Sequence, residues 1–137
     1  MFILRKQFNW EAAHFLPLVK ASHQCRRMNG HSYSVVIEIG SEDLEDGFVI
    51  DFEEINRYIK PTIKQLDHQL RNDFIDNPSS ENICSFIAKK FLKEARTIDL
   101  PHDKRSLEEL SRRIYLLAVE VSETPKTKCR LELREEL

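Results

Sequence analysis

A cysteine, an asparagine and a histidine that could bind a metal or transfer protons lie within seven residues of one another, at Cys25, Asn29 and His31. A further histidine, His14, precedes the cysteine by eleven residues. Neutral imidazole is a common metal ligand, and a catalytic zinc ion typically takes three protein ligands and keeps one position open. These residue types therefore indicate a metal site with a thiol nearby, in which the two histidines are the clear ligands.

Strand periodicity supports this interpretation, because residues two apart on an extended segment point to the same face of a sheet. Asn29 and His31 share such a face, which Tyr33, Val35, Ile37 and Ile39 continue as an apolar stripe. His14 is in phase with the apolar residues of the segment before it, interrupted only by Lys6. A lone histidine in this setting is more often a buried residue with a hydrogen-bond partner. Two of them beside a cysteine favour a functional site.

The three cysteines have different settings. Cys25 lies in a polar segment beside Arg26 and Arg27, and cationic neighbours favour the thiolate form of a cysteine. Cys84 lies in a helical pattern and Cys129 alternates with leucines, so both are predicted to be small core residues. An odd number of cysteines at wide spacing argues against a disulfide framework and for a reducing compartment.

Three further residues are candidates. Asp67 directly precedes His68, and this pair is either a plain surface pair or a carboxylate that orients an imidazole for proton transfer. Glu123 continues the parity of an apolar strand that runs from Tyr115 to Val121. It is either a strand-end residue that reaches solvent or a buried carboxylate that binds a ligand with paired N–H donors.

The elements that position these residues are predicted from apolar spacing and turn residues. They are strands over 2–9 and 32–40, helices over 52–66 and 81–95, and strands over 115–121 and 129–134. A loop over 15–30 joins the first two strands, and its length suggests a function. Pro61 is predicted to kink the first helix or break it in two. A capping box at 106–109 predicts a short third helix, and His102 nearby receives no role.

Length and charge limit the function classes. A chain of 137 residues is expected to be one domain with a real hydrophobic core. A net charge of −2 gives no electrostatic reason to expect nucleic acid or an anionic membrane as partner. The sequence has no long apolar run and no signal-peptide layout at its start, so a cytoplasmic location is expected.

Several motifs together resemble the 6-pyruvoyltetrahydropterin synthase family, over nearly the whole chain. They are Ala12-Ala13-His14, the 25–31 run, Leu66-Asp67-His68, the helix start at 78–82 and Glu123-Thr124. The three residues between Cys25 and Asn29 favour the bacterial 6-carboxy-5,6,7,8-tetrahydropterin synthase branch of the queuosine pathway.

This resemblance implies an α+β tunnelling fold, in which a four-stranded antiparallel sheet carries two main helices on one face. Sheets of several subunits would join edge to edge into a barrel, as unprotected sheet edges favour. It also implies a homo-oligomer, most often a hexamer, with sites between subunits and with small pterins as the partners that it binds.

The roles implied by the resemblance form two groups. His14 and His31 would be ligands of Zn²⁺, and Asn29 would occupy the third ligand position. Cys25 would be the catalytic thiolate, Asp67 and His68 a proton-relay pair, and Glu123 the residue that binds the pterin ring. The implied reaction converts 7,8-dihydroneopterin triphosphate to 6-carboxytetrahydropterin with loss of acetaldehyde and triphosphate.

Asn29 departs from the family pattern, which has histidine at that position. A carboxamide oxygen is a poorer partner for zinc than imidazole. The residue is therefore an introduced substitution, the mark of a divergent homologue, or compensated by His23 or Cys25 as third ligand. The alternatives to a carboxy-type enzyme are a pyruvoyl-type synthase, a related enzyme that acts on another pterin or purine, and a pterin-binding homologue that does no chemistry.

Overall fold

The computed structural model of the protein describes residues 1–97 and 113–137. In chain order these form β1 (Phe2–His14), β2 (Asn29–Ser41), α1 (Phe52–Leu66), α2 (Ser80–Thr97), β3 (Ile114–Thr124) and β4 (Thr127–Glu136). The predicted order of two strands, two helices and two strands is confirmed. The third helix predicted at 106–109 and His102 lie outside the described residues.

The four strands form one antiparallel sheet in the order β1-β2-β3-β4. The predicted limits of the first two strands, 2–9 and 32–40, were too short, because the β1–β2 pairing continues to the pair His14 and Asn29. Trp10 lies in the part of β1 beyond the predicted limit, opposite Tyr33 of β2, and the two rings stack with centres 5.3 Å apart. The loop between the strands therefore spans 15–28, and His14 and Asn29 both belong to the sheet.

One face of the sheet is buried beneath the helices. Val35, Ile37 and Ile39 of β2 are fully buried and form one cluster with α1 and α2 residues such as Ile59 and Phe91. Burying a side chain of this size contributes roughly 1.5–3 kcal/mol. This burial fixes the register, since a shift by one residue would turn the whole apolar set toward solvent.

Pro61 was predicted to kink the first helix or to break it in two, and the break was wrong. The helix is continuous from Phe52 to Leu66, and Pro61 lies on its exposed side. The side chains of Ile55, Ile59 and Leu66, on both sides of the proline, are fully buried. We attribute the continuity to this packing, which offsets the hydrogen bond that a proline removes.

No helix in the described part of the chain combines the length and the apolar composition needed to cross a bilayer.

Candidate metal and catalytic site

Three strands bring His14, His31 and Glu123 together. His14 ends β1, His31 lies near the start of β2, and Glu123 lies at the end of β3. Their potential ligand atoms, one from each side chain, all lie within 4.8 Å of one another. The two imidazole rings meet edge to face with centres 5.3 Å apart, and Nε2 of His14 lies 3.9 Å from Oε1 of Glu123.

The surroundings of His14 fit a metal ligand. Its Nδ1 lies 2.9 Å from the carbonyl oxygen of Pro78, so this nitrogen donates its hydrogen and Nε2 keeps a lone pair on the side of Glu123. A ligating histidine commonly donates its other ring N–H to such a carbonyl. Burial lowers the pKa of His14 below its usual value, which favours the neutral form that binds metals.

Glu123 completes a set of donors that suits zinc. Its Oε1 accepts a hydrogen bond of 3.0 Å from the hydroxyl of Ser80, the first residue of α2. Two imidazole nitrogens and one carboxylate oxygen, with a fourth position open, are a known ligand set of catalytic zinc sites. The family resemblance assigned Glu123 to pterin binding and not to the metal. Its strand parity was the available signal that it shares a face with the histidines.

Asn29 lies directly opposite His14 in the β1–β2 register, on the same face as His14 and His31. Its side-chain amide nitrogen donates to the carbonyl oxygen of Arg27 at 2.7 Å. The backbone thus places Asn29 where the sequence predicted, beside both histidines. Its function as a weak ligand stays a prediction.

The alternative third ligands, His23 and Cys25, do not join the histidine pair. Among the described histidines, cysteines and carboxylates, the group close enough to share a metal consists of His14, His31 and Glu123. The ring of His23 instead accepts a hydrogen bond of 3.1 Å from the backbone N–H of Cys25. The third side chain that the structure places with the two histidines is therefore a carboxylate.

Cys25 is half-buried in a 3-10 turn, Gln24–Arg26. Its carbonyl oxygen accepts from the backbone N–H of Leu16 at 2.7 Å. The guanidinium of Arg26 donates to the carbonyl oxygens of Pro17 and Val19. These contacts fold the 15–28 loop back on itself, and this neighbouring arginine serves to hold the loop.

Asp67 and His68 contact each other, and the side chain of His68 is 76% exposed. Their role as a proton-relay pair stays a prediction. Nδ1 of His68 lies 3.0 Å from Oδ1 of Asp67, and that carboxylate also accepts from the backbone N–H of Glu11 at 3.0 Å. The Glu11 hydrogen bond is the main cause that lowers the pKa of Asp67. His68 has a left-handed backbone (φ 55°), and its N–H donates to the Glu11 carbonyl at 2.6 Å. A non-glycine residue in this conformation is often held at a functional site.

A cleft of about 510 Å³ has both His31 and His68 in its lining. It is lined by Glu11, Ala12, Ala13, Gly30, His31, Ser32, His68, Gln69 and Leu70. His31 and His68 therefore open onto the same space, whereas Cys25 is not among the residues that line it.

Sequence reasoning missed Arg71, which is completely buried. Its Cζ lies 3.7 Å from the ring centre of Tyr33 and 5.1 Å from that of Trp10. Burial lowers the pKa of Arg71 to about 10, so the guanidinium remains charged at neutral pH. No signal in the sequence indicated this burial, because Arg71 stands in a polar segment where an arginine is normally exposed.

The fold and the site define a tunnelling-fold protein with a candidate metal centre at one end of its sheet. The chain belongs to the 6-pyruvoyl tetrahydropterin synthase family, whose model matches residues 3–134.

Relatives agree with this assignment. The 6-carboxy-5,6,7,8-tetrahydropterin synthase of Synechocystis is 38% identical over 103 residues, which are 69% of this chain and 78% of the relative. The dihydroneopterin monophosphate aldolase of Pyrococcus furiosus is 29% identical over 85 residues, 62% of this chain and 70% of that one. The solved 6-pyruvoyl tetrahydropterin synthase of Caenorhabditis elegans superposes with a TM-score of 0.73 at 19% identity, over 96% of this chain and 95% of that one.

Proposed function

We propose that this chain is a zinc-dependent lyase that converts 7,8-dihydroneopterin triphosphate and one water molecule to 6-carboxytetrahydropterin, with loss of acetaldehyde and triphosphate. The observation that carries the proposal is the convergence of His14, His31 and Glu123 next to the cleft that also contains His68. Family membership and the Synechocystis relative support the pterin substrate and the carboxy-type reaction.

His14 and His31 would hold the zinc ion, with Glu123 as the third donor by its position and Asn29 as a weaker one on the same face. Bound zinc would acidify the hydroxyl groups of the substrate side chain and stabilise the oxyanions that form. The Pro78 carbonyl would keep the His14 ring in the ligating orientation.

Proton transfer would fall to Cys25 and to the Asp67-His68 pair. Asp67 holds the ring of His68 at 3.0 Å and is itself fixed by the backbone of β1, so the imidazole is presented to the cleft in a defined orientation. A positioned imidazole of this kind can take up and return a proton as the side chain of the substrate rearranges. Cys25 would act as a second base, in its thiolate form.

Glu123 has two candidate tasks that use the same carboxylate. The family resemblance assigns it to the paired N–H donors of the pterin ring. Its distance of 3.9 Å from Nε2 of His14 gives it the position of a metal donor as well. We propose that Glu123 binds the pterin in the complex with substrate and contacts the metal in the free enzyme. A carboxylate has two acceptor oxygen atoms, and its side chain can turn from the metal to the pterin.

We further propose that the chain acts as a single domain in the cytoplasm, as part of a homo-oligomer.

Three alternatives to the carboxy-type reaction remain. They are 6-pyruvoyltetrahydropterin synthase activity, action on another pterin, and pterin binding without chemistry. The Pyrococcus furiosus aldolase is the relative that bears on action on another pterin.

The test is product identification by mass spectrometry after incubation of zinc-loaded protein with 7,8-dihydroneopterin triphosphate. We expect 6-carboxytetrahydropterin, acetaldehyde and triphosphate in equal amounts. A pyruvoyl product would replace this assignment by the pyruvoyl-type reaction. Recovery of unchanged substrate from protein that binds both zinc and the pterin would identify a non-catalytic homologue.

The variant Cys25→Ala tests the role of the thiol in turnover, and Cys129→Ala is its control. Removal of the thiol at Cys25 should abolish turnover and leave the circular dichroism spectrum unchanged, because the side chain is half-buried in a loop turn. Cys129 is equally half-buried but lies on β4, in the packed part of the sheet, so its replacement should leave turnover intact. Equal rates in both variants would remove Cys25 from the mechanism.

A further inference from the structure

Arg71 carries a positive charge next to Tyr33, the aromatic residue that also contacts both histidines of the candidate metal site. Its guanidinium rests on the ring of Tyr33, and the rings of His14 and His31 contact the same tyrosine with centres 5.9 and 5.6 Å from its own. The guanidinium and both imidazoles thus surround a single aromatic ring.

The guanidinium nitrogens of Arg71 lack hydrogen-bond acceptors in the part of the chain that the structure describes. Its Nε, Nη1 and Nη2 are all buried, and none has a hydrogen-bond partner among the described residues. Its favourable partners are the faces of Tyr33 and Trp10 and the negative charge of Glu123. A buried cation of this kind depends strongly on the charges around it, because water does not screen it.

The carboxylate that attracts Arg71 is the one that a metal ion would use. In the free chain the negative charge of Glu123 partly offsets the charge of the guanidinium. A divalent cation bound to His14, His31 and Glu123 would be coordinated by that carboxylate. It would add two positive charges close to the fixed positive charge of Arg71. Like charges repel strongly where the effective dielectric constant is low.

We propose that Arg71 sets the metal affinity of this site, by weakening the binding of a divalent cation to His14, His31 and Glu123. The inference rests on the proposed metal site and adds to it a residue that touches neither the metal nor the substrate. It acts through its charge, and the site holds zinc less tightly than the same donors would above a neutral side chain.

The test compares zinc affinities of full-length protein by competition with a chromophoric chelator. Arg71→Met removes the charge and keeps an unbranched chain, and apolar replacements of buried ionic groups are often tolerated. We expect its zinc affinity to rise by roughly tenfold or more, from the loss of a like charge at low dielectric. Arg71→Gln, which is also neutral but polar, should change the affinity in the same direction.

Arg134→Met is the matched control. Arg134 also stacks on a tyrosine, with its Cζ 4.5 Å from the ring centre of Tyr115, but it is exposed on β4. Its removal changes the net charge equally and should leave zinc affinity unchanged. A rise of the same size in this variant would show an effect of overall charge and would contradict the inference.

The outcomes separate the inference from the metal site itself. Stoichiometric zinc with equal affinity in the parent, Arg71→Met and Arg71→Gln proteins would overturn the role of Arg71 and leave the metal site standing. Folded parent, Arg71→Met and Arg71→Gln proteins that all fail to bind zinc at micromolar concentration would overturn the metal site and the inference with it.

Discussion

At the scale of single residues, Asn29 is the position whose replacement should change the site most directly. Asn29→His would place an imidazole opposite His14 on the face that carries His31. We expect zinc affinity to rise by about 10–100-fold, the range seen when even outer partners of a metal site are changed. Turnover should increase with it. The measurement is zinc competition, followed by steady-state rates on metal-loaded protein.

Strand parity provides the control for this substitution. Ser34 lies on the same strand with the opposite parity, paired with Asn9 and Ser122. An imidazole introduced by Ser34→His should leave zinc affinity unchanged, because its side chain points to the other face of the sheet. Equal zinc content and equal rates for Asn29→His and its parent would place Asn29 away from the metal.

Among single residues, the sequence could predict only those site positions that follow from local periodicity. The imidazoles of His14 and His31 and the carboxylate of Glu123 converge because each is in phase with the apolar face of its own strand, and that phase is written in neighbouring residues. Arg71 could not be foreseen. Its burial depends on Trp10 and Tyr33, which come from two strands distant in sequence, and their stacked rings supply the surface that holds it.

At the scale of elements, Asp67 connects the end of α1 to the edge of β1, and this connection should depend on pH. The hydrogen bond from the Glu11 N–H lowers the pKa of Asp67 in the folded chain below its ordinary value of 3.8. Because the folded pKa is depressed, the ionised carboxylate stabilises the fold at pH values above the unfolded pKa. That stabilisation is lost as the pH falls through the folded pKa.

Urea unfolding of the parent and of Asp67→Asn over a series of pH values measures this contribution. The difference in free energy of unfolding should be constant near neutral pH and should shrink as the pH falls below about 4. A difference of the same size at every pH would mean that the charge of Asp67 contributes nothing to the connection.

The limits of the elements were harder to predict than their kind and order. β1 continues through Ala12 and Ala13, which have little intrinsic preference for strands, because pairing with β2 holds them. Similarly, α1 passes over Pro61 because residues on both sides of it are fixed in the core. In both cases contacts between distant segments outweighed the local preference.

At the scale of the whole molecule, the end of the sheet opposite the candidate site exposes a group of apolar side chains. The end that carries His14 and Glu123 is partly covered by the 67–70 segment, which pairs with β1 through Ala13 and Leu70. At the other end, large apolar side chains are more than one-third exposed, namely Phe2, Ile3, Leu44, Phe48 and Phe52. An exposed apolar group of this kind commonly marks a protein–protein contact.

These exposed groups and the edge strands β1 and β4 predict that the chain forms a homo-oligomer, most often a hexamer, in which neighbouring sheets continue one another. Light scattering at micromolar concentration should give a mass several times that of the 16.2 kDa chain. Phe2→Glu should shift the protein toward smaller species, because a charge on this half-exposed residue must be desolvated in the contact, whereas Phe2→Leu should not. A monomeric mass for the parent would exclude the barrel. A hexamer that Phe2→Glu leaves intact would place the contact away from this end of the sheet.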